Sequence, residues 1–318
     1  MKSTGKEKIG IAIAGLGFGE SVHLPAIESN PEFEMIYFWH PSFKKLKAVS
    51  EKYSLDIRTE WKDLLNDPRI DAIVIATPPA PRYQLAYEAL QAGKHLLLEK
   101  PVALSTEEIS NLQRLAINNQ LSVAVDFEYR AVPLFMQAKK VIDDGLIGKP
   151  WLFKLDWLMS SRANPKRPWN WYSEEDKGGG VLGALGTHAF DIIHWLIGPT
   201  EKISALTSTS INERIDPINN QTKKVTSEDI ALAHLQIKYL KDNILIPAQI
   251  SLSAVSRQGR GCWLEIYGSE GTLILGSNNQ KDYVHGFDLC FTKEGEQPKS
   301  ICADNDFIFD KTWPDGRI

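Results

Sequence analysis

Between residues 9 and 125, short continuous apolar runs alternate with longer amphipathic stretches, and no other feature restricts the fold as strongly. Runs at 9–14, 34–39, 72–76, 95–98 and 122–125 predict strands. Helical periodicity lies between and after them at about 21–29, 42–53, 60–66, 81–92 and 105–119. Strand and helix in repetition, with Ile/Val/Leu runs uninterrupted by polar residues, mean a parallel sheet covered on both faces. Thr77-Pro-Pro-Ala-Pro81 is expected to be a loop at a strand's carboxyl end, because proline continues neither a ladder nor a helix. In such sheets that edge is where ligands bind.

After Asp126 the pattern changes. A helix at about 132–144 precedes a strand at 151–159, a loop at 161–177 rich in Pro, Trp and charge, and a second helix at 181–197. Strands then dominate, at 202–211, 228–238, 244–253, 262–267 and 271–275, with 212–224 a hairpin connection or loop. Strand runs with few helices predict an α+β domain on an open, mostly antiparallel sheet. The chain's 318 residues fit two domains at about 150 residues each. We place a dinucleotide-binding domain at 8–125 and a substrate-binding, oligomerising domain at 126–318.

Composition narrows the function. Apolar residues make up 43% of the chain and charged residues 24%, enough for a proper core. Thirty-six basic against 40 acidic side chains leave a net charge of −4, which argues against a nucleic-acid partner. Cys262, Cys290 and Cys302 lie far apart, and the histidines show no HxxxH or HxH spacing, so neither a disulfide framework nor a metal is expected. The basic start of the chain is followed by only six apolar residues before Gly15, too few for a signal peptide. No window approaches the roughly 20 apolar residues of a membrane span. A cytoplasmic protein without a membrane partner is expected.

Ala14-Gly-Leu-Gly-Phe-Gly-Glu20 directly follows the first strand and opens a helix. Glycines there let the backbone turn tightly and approach a pyrophosphate seated on the helix N-terminus. Gly15, Gly17, Phe18 and Gly19 are the expected contacts, although Glu20 stands where a strict GxGxxG would have its third glycine. At the end of the second strand, an NAD site normally carries Asp or Glu for the ribose hydroxyls. Here the sequence reads Trp39-His-Pro-Ser42, followed by Lys44 and Lys45. A carboxylate would repel a 2′-phosphate, whereas His40, Ser42 and the lysines would accept one, so NADP(H) is expected over NAD(H). Alternatively, the two lysines simply line an exposed helix face.

Glu99-Lys100-Pro101 closes the strand at 95–98 and places a lysine at the carboxyl edge of the sheet. Together with the glycine loop, Thr77-Pro78, Phe127-Glu-Tyr-Arg130, Gly145-Leu-Ile-Gly-Lys-Pro150 and Gly178-Gly-Gly-Val-Leu-Gly-Ala-Leu-Gly-Thr-His188-Ala-Phe-Asp191, this resembles the Gfo/Idh/MocA family of glucose–fructose and inositol oxidoreductases. The motifs run in order from about 8 to 276. The resemblance implies an N-terminal Rossmann domain, and a second domain whose open sheet carries substrate and often a subunit interface. It also implies hydride transfer between a nicotinamide and a sugar, polyol or related hydroxyl/carbonyl carbon. By carry-over, Lys100 contacts the reacting oxygen and the cofactor, and His188 is the acid/base. Thr77 and Pro78 would line the cofactor cleft and Glu99 would anchor its side. Arg130, Trp171 and Asp191 are candidate substrate contacts.

Elementary chemistry agrees with these roles. A carbinol that loses hydride must also lose its hydroxyl proton, which histidine can accept and return, while a nearby ammonium stabilises the alkoxide. On an ideal helix over 181–197, Leu182, Leu185, Ala189, Ile192 and Leu196 form the core stripe, with Ala184, His188, Asp191 and Trp195 on a second stripe. That phase points His188 to a cleft. Asp191 could orient His188, contact substrate, or tie the helix to a loop.

Three departures from the family pattern stand out. Relatives often carry Asp four residues before the histidine, but Ala184 stands here: Lys100 and His188 suffice, another carboxylate substitutes, or the protein binds without turnover. Arg82 occupies a position where relatives often have His, which could reshape the cofactor pocket or mean nothing. Trp313-Pro-Asp-Gly-Arg-Ile318 holds a turn signal and then ends, where relatives continue into helices against the sheet. A shortened C-terminus is expected, with a naturally compact member as the alternative. Trp169-Asn-Trp171 could stack on a ring or be a packed loop. Two other functions remain open: a non-catalytic dinucleotide sensor or scaffold, and glycoside cleavage with a retained nicotinamide.

Overall fold

The structure is a computed structural model that describes residues 8–279 and 286–308. The turn at 313–318 and the basic start at 1–7 lie outside the described residues. The chain divides between Asp126 and Phe127 into two compact units.

In the first unit, β1 (Ile9–Ala14), β2 (Phe33–Trp39), β3 (Ile57–Arg58), β4 (Ala72–Ile75), β5 (His95–Leu98) and β6 (Val123–Val125) form a parallel sheet in the order β3-β2-β1-β4-β5-β6. Helices α1 (Leu24–Ser29), α2 (Phe43–Tyr53), α3 (Trp61–Asn66), α4 (Pro79–Gln91) and α5 (Thr106–Asn118) connect the strands. The period of two along β1 explains why both faces need cover. Ile11 and Ile13 pack with Phe38, Leu24, Leu46 and Val49 on one side, and Ala12 and Ala14 with Ile73, Ile75, Leu90 and Leu112 on the other. Phe38 is fully buried, so truncating it to Ala would cost about 3–5 kcal/mol. The strand order reverses between β1 and β4, and this switch point opens the crevice at the carboxyl edge.

Two expectations need correction here. The Pro-rich stretch is not a loop to residue 81, because α4 begins at Pro79. The first turn of a helix has no intrahelical use for its N–H groups, so prolines are tolerated there. The helix expected at 21–29 instead opens with a wide π turn, Gly19–His23, before α1. The two-residue β3 carries no periodicity to read.

The second unit begins with a tight turn, Glu128–Ala131, followed by α6 (Pro133–Asp143) and β7 (Pro150–Leu158). A π turn, Leu182–Gly186, runs into α7 (Thr187–Leu196). Then come β8 (Thr200–Ser208), the small hairpin of β9 (Glu213–Ile215) and β10 (Thr222–Lys224), β11 (Ile230–Tyr239), β12 (Ile244–Ser253), β13 (Gly261–Gly268), β14 (Gly271–Ser277), β15 (Asp288–Lys293) and β16 (Lys299–Ser300). Eight strands form one sheet in the order β16-β15-β14-β13-β7-β12-β11-β8, in which only the β7–β12 pair is parallel. One face packs on α6 and α7 through Phe153, Leu155, Trp157, Ile237, Ile250 and Leu264. The other stays open, with Leu206, Leu232 and Leu245 exposed. No helix among the described residues is long and apolar enough to cross a membrane.

The π turn also corrects the helix phase. Its wider turn breaks the 100° step, so Leu182 is exposed while Val181, His188, Ala189, Ile192, Ile193 and Leu196 turn inward. His188 is thus buried, at 3% exposure, rather than directed into an open cleft by an ideal stripe.

Candidate active site

The glycines after β1 divide the labour of a phosphate cradle. Gly15 has φ +109°, and a Cβ there would stand 2.7 Å from the backbone of Ala76 at the end of β4. Gly17 has φ +76°, and a Cβ there would meet nothing within 4 Å, so a ligand can approach its backbone. Gly19 abuts the Ile13 side chain, where a Cβ would lie 2.8 Å from Cγ2. These are the duties of tight turn, open approach and close helix–strand packing in a dinucleotide loop. The third glycine comes one residue early because the helix starts with the π turn. Phe18 is exposed beside the open position. These features fit a bound nicotinamide dinucleotide.

At the end of β2, the Ser42 N–H donates to His40 Nδ1 at 2.9 Å, which leaves the ring proton on Nε2. Burial, then the charge of Lys45, holds the His40 pKa below its usual value. His40 therefore offers a neutral N–H at pH 7, and positive charge comes from the exposed Lys44 and Lys45. No carboxylate follows β2 directly.

A buried network fixes the turn after β5. The Arg82 guanidinium, 3% exposed, donates to the carbonyls of Thr77, Glu99 and Pro101 and thereby ties the ends of β4 and β5 together. Burial pulls its pKa down to about 10 against the supporting charge of Glu99. This is a positive use for the arginine: it braces the backbone on both sides of Lys100. Sequence reasoning found the position but not this role, because three carbonyls leave no mark in residue identity. The buried Thr77 Oγ1 has no hydrogen-bond partner, as suits a group meant for a ligand. Pro78 is exposed beside it.

Glu99 is held from two directions. His23 Nε2 donates to its Oε1 at 3.0 Å, the Lys100 N–H donates to its Oε2 at 3.2 Å, and Asp126 Oδ2 lies 3.7 Å from the same His23 nitrogen. Burial would raise the Glu99 pKa, but the His23 hydrogen bond and the charges of His23, Lys100 and Arg82 hold it below the carboxylate range. Among the described residues, His23, Glu99 and Asp126 form a group close enough to hold a cation, with ligand atoms within 4.8 Å of one another. Hydrogen bonds already occupy both Glu99 oxygens, so the arrangement serves as a brace for the Lys100 turn. No local spacing reveals it, since the three residues follow three different strands.

In the second unit, the Glu128–Ala131 turn and α7 meet. Arg130 donates to Asp191 through two bonds, Nε to Oδ2 at 2.8 Å and Nη2 to Oδ1 at 2.5 Å. Of the three readings of Asp191, this supports the tie between helix and loop. The His188 ring is boxed by Tyr129, Phe127 and Trp157, with centroids at 4.9, 6.1 and 6.1 Å. Its Nε2 stands 3.7 Å from Glu128 Oε1, and both side chains are buried.

The loop at 161–177 is packed. Arg214 donates to the carbonyls of Arg162, Asn164 and Arg167, and the Arg162 guanidinium lies 3.5 Å over the Tyr172 ring. Trp169 is covered by the Lys223 ammonium at 3.2 Å and donates to Lys224 O. Trp171 is half-buried in a short turn capped by Asn170.

Comparison with known proteins follows the same division. Residues 9–127 match the model of the Gfo/Idh/MocA oxidoreductase family, NAD-binding Rossmann fold, and residues 135–274 match the Gfo/Idh/MocA C-terminal domain. The "uncharacterized oxidoreductase sll0816" of Synechocystis sp. is 42% identical over 97% of this chain and 82% of its own. A levoglucosan dehydrogenase of Pseudarthrobacter phenanthrenivorans is 30% identical over 65% of this chain and 56% of its own. A solved levoglucosan dehydrogenase, in complex with NADH and L-sorbose, superposes with a TM-score of 0.83. It covers 98% of this chain and 82% of that one, at 22% identity, a likeness of fold.

Proposed function

Since the chain belongs to the Gfo/Idh/MocA oxidoreductase family, we propose that it oxidises, or in reverse reduces, a carbinol carbon of a sugar, polyol or related small molecule. The observation that carries this reading is one shared edge: the glycine cradle ends β1, and Lys100 ends β5, with β4 between them in the same parallel sheet. A bound nicotinamide supplies the hydride acceptor or donor. Gly15, Gly17, Phe18 and Gly19 seat its pyrophosphate, and Thr77 and Pro78 line the cleft. The Glu99 brace sets the backbone of Lys100, whose ammonium stabilises the substrate oxygen as its proton leaves. His188 takes that proton and returns it in the reverse direction. Arg130, Trp171 and Asp191 complete the substrate side, with Arg130 and Asp191 acting as a pair.

The cofactor is NADP(H) in preference to NAD(H). The supporting features are the absence of a carboxylate directly after β2, the His40 Nε2–H, the Ser42 hydroxyl, and the charges of Lys44 and Lys45. The open face of the second sheet, with Leu206 69% exposed, supports self-association into a homo-oligomer. Unpaired Cys262, Cys290 and Cys302 suit a cytoplasmic setting.

The test is turnover with NADP+ and NAD+ against a panel of inositols, aldoses and anhydrosugars, followed by the rise in reduced nicotinamide. Activity on one class, lost in Lys100→Ala, supports the proposal. Cofactor binding without turnover anywhere on the panel favours a non-catalytic sensor instead.

A further inference from the structure

We propose that Glu128 is the carboxylate that positions His188, in place of the acid that would stand one turn earlier at Ala184. The inference rests on the reading of His188 as acid/base and adds a residue to it. Glu128 is a buried carboxylate, 7% exposed, and a buried charge persists in a fold only where something answers it. The His188 ring is 3.7 Å away.

Three elements surround the pairing. The Glu128–Ala131 turn brings Glu128 and the Tyr129 ring to the imidazole. β7 brings the uncharged indole of Trp157. α7 carries Asp191 one turn on, with both oxygens on Arg130 and its charge matched there. That ion pair also brackets the couple. Arg130 lies two residues after Glu128 and Asp191 three after His188, so one bidentate bridge locks the turn that carries the carboxylate to the helix that carries the imidazole. Aromatic walls lower the local dielectric and strengthen the attraction between the two groups.

The π turn explains why the partner comes from elsewhere. On an α-helix, a residue four before His188 would share its face. Here Ala184 sits inside Leu182–Gly186, where that register does not hold. When His188 takes the substrate's hydroxyl proton, the ring gains a positive charge, which Glu128 stabilises without itself touching substrate. It is therefore a positioning residue.

The experiment is an NMR titration of the imidazoles in the full chain labelled with 15N-histidine, for wild type, Glu128→Gln and Glu128→Asp. Glu128→Gln is expected to lower the His188 midpoint by about one pH unit, a tenfold change in proton affinity. Glu128→Asp, one methylene shorter, should fall between the two. Among the described residues, His23, His40, His95, His194 and His234 should keep their signals and so report an intact fold. A His188 midpoint that does not move in Glu128→Gln overturns the proposal. Should that variant fail to fold, an unmoved midpoint in Glu128→Asp overturns it equally. The titration needs no substrate, so its failure concerns the pairing alone, whereas failure of the oxidoreductase reading shows in the turnover panel.

Discussion

Two glycine-to-alanine substitutions in the same loop should fail in opposite ways. Gly17 points at open space, so Gly17→Ala adds no clash to the protein alone and bears only the cost of its φ of +76°. That cost is about 1–2 kcal/mol, a drop of about 1.5–3 °C in Tm for a chain of 318 residues at about 2.1 cal/mol/K of unfolding entropy per residue. In the proposed cradle, however, the new methyl stands where a pyrophosphate would come close. Losing one or two charge-assisted backbone contacts, at about 1.5–3 kcal/mol each, should weaken NADPH binding by about tenfold to about twenty-thousandfold. Gly15→Ala is the reverse case. Its Cβ would lie 2.7 Å from Ala76 C and O and 2.9 Å from Thr77 N, backbone atoms that cannot swing aside. The expected loss is above about 3 kcal/mol of stability. Thermal unfolding and NADPH titration of both variants provide the assay. A Gly17→Ala protein that binds NADPH like wild type would refute the cradle, and a Gly15→Ala protein as stable as Gly17→Ala would refute the packing argument.

Other outcomes follow from the braces around Lys100. Arg82→Met strips the donor from three carbonyls, partly offset by relief of a buried cation, and should cost about 2–5 kcal/mol in chemical denaturation. Lys100→Ala removes a half-buried side chain whose backbone Glu99 and Arg82 still hold. It should reduce turnover by at least about a hundredfold while leaving cofactor affinity within about tenfold of wild type, as paired kinetics and binding measurements would show. Glu99 has a folded pKa below the ordinary 4.5. Its contribution to stability is therefore complete above that value and fades as pH falls through the lower folded pKa. Denaturation curves should lose less stability on acidification in Glu99→Gln than in wild type.

Much of this fold can be read from local sequence, and the boundary has physical causes. The sequence expectation reproduces β1 and β5 at both ends, because a fully buried parallel strand is a continuous apolar run set between turn residues. β12 is equally plain, since one buried face imposes alternation along Leu245–Ile250. β3 is too short to carry a period, and β15 and β16 lack a continuous apolar run. The π turns at Gly19–His23 and Leu182–Gly186 escape any analysis built on 100° per residue, and the second one hid which face of α7 turns inward. The site divides in the same way. Glycine spacing and Glu99-Lys100-Pro101 are local and legible. The His23–Glu99–Asp126 brace, the three carbonyls on Arg82 and the Glu128–His188 couple join residues from 5 to about 100 positions apart, and tertiary packing brings them together.

The central claim is that this chain binds a phosphorylated nicotinamide dinucleotide for hydride transfer. Fluorescence titration of the purified protein with NADPH and NADH in parallel tests it most directly. The account predicts saturable binding of both, tighter for NADPH. Tighter NADH binding would contradict the His40 and Ser42 assignment, and no saturable signal with either would contradict the account as a whole.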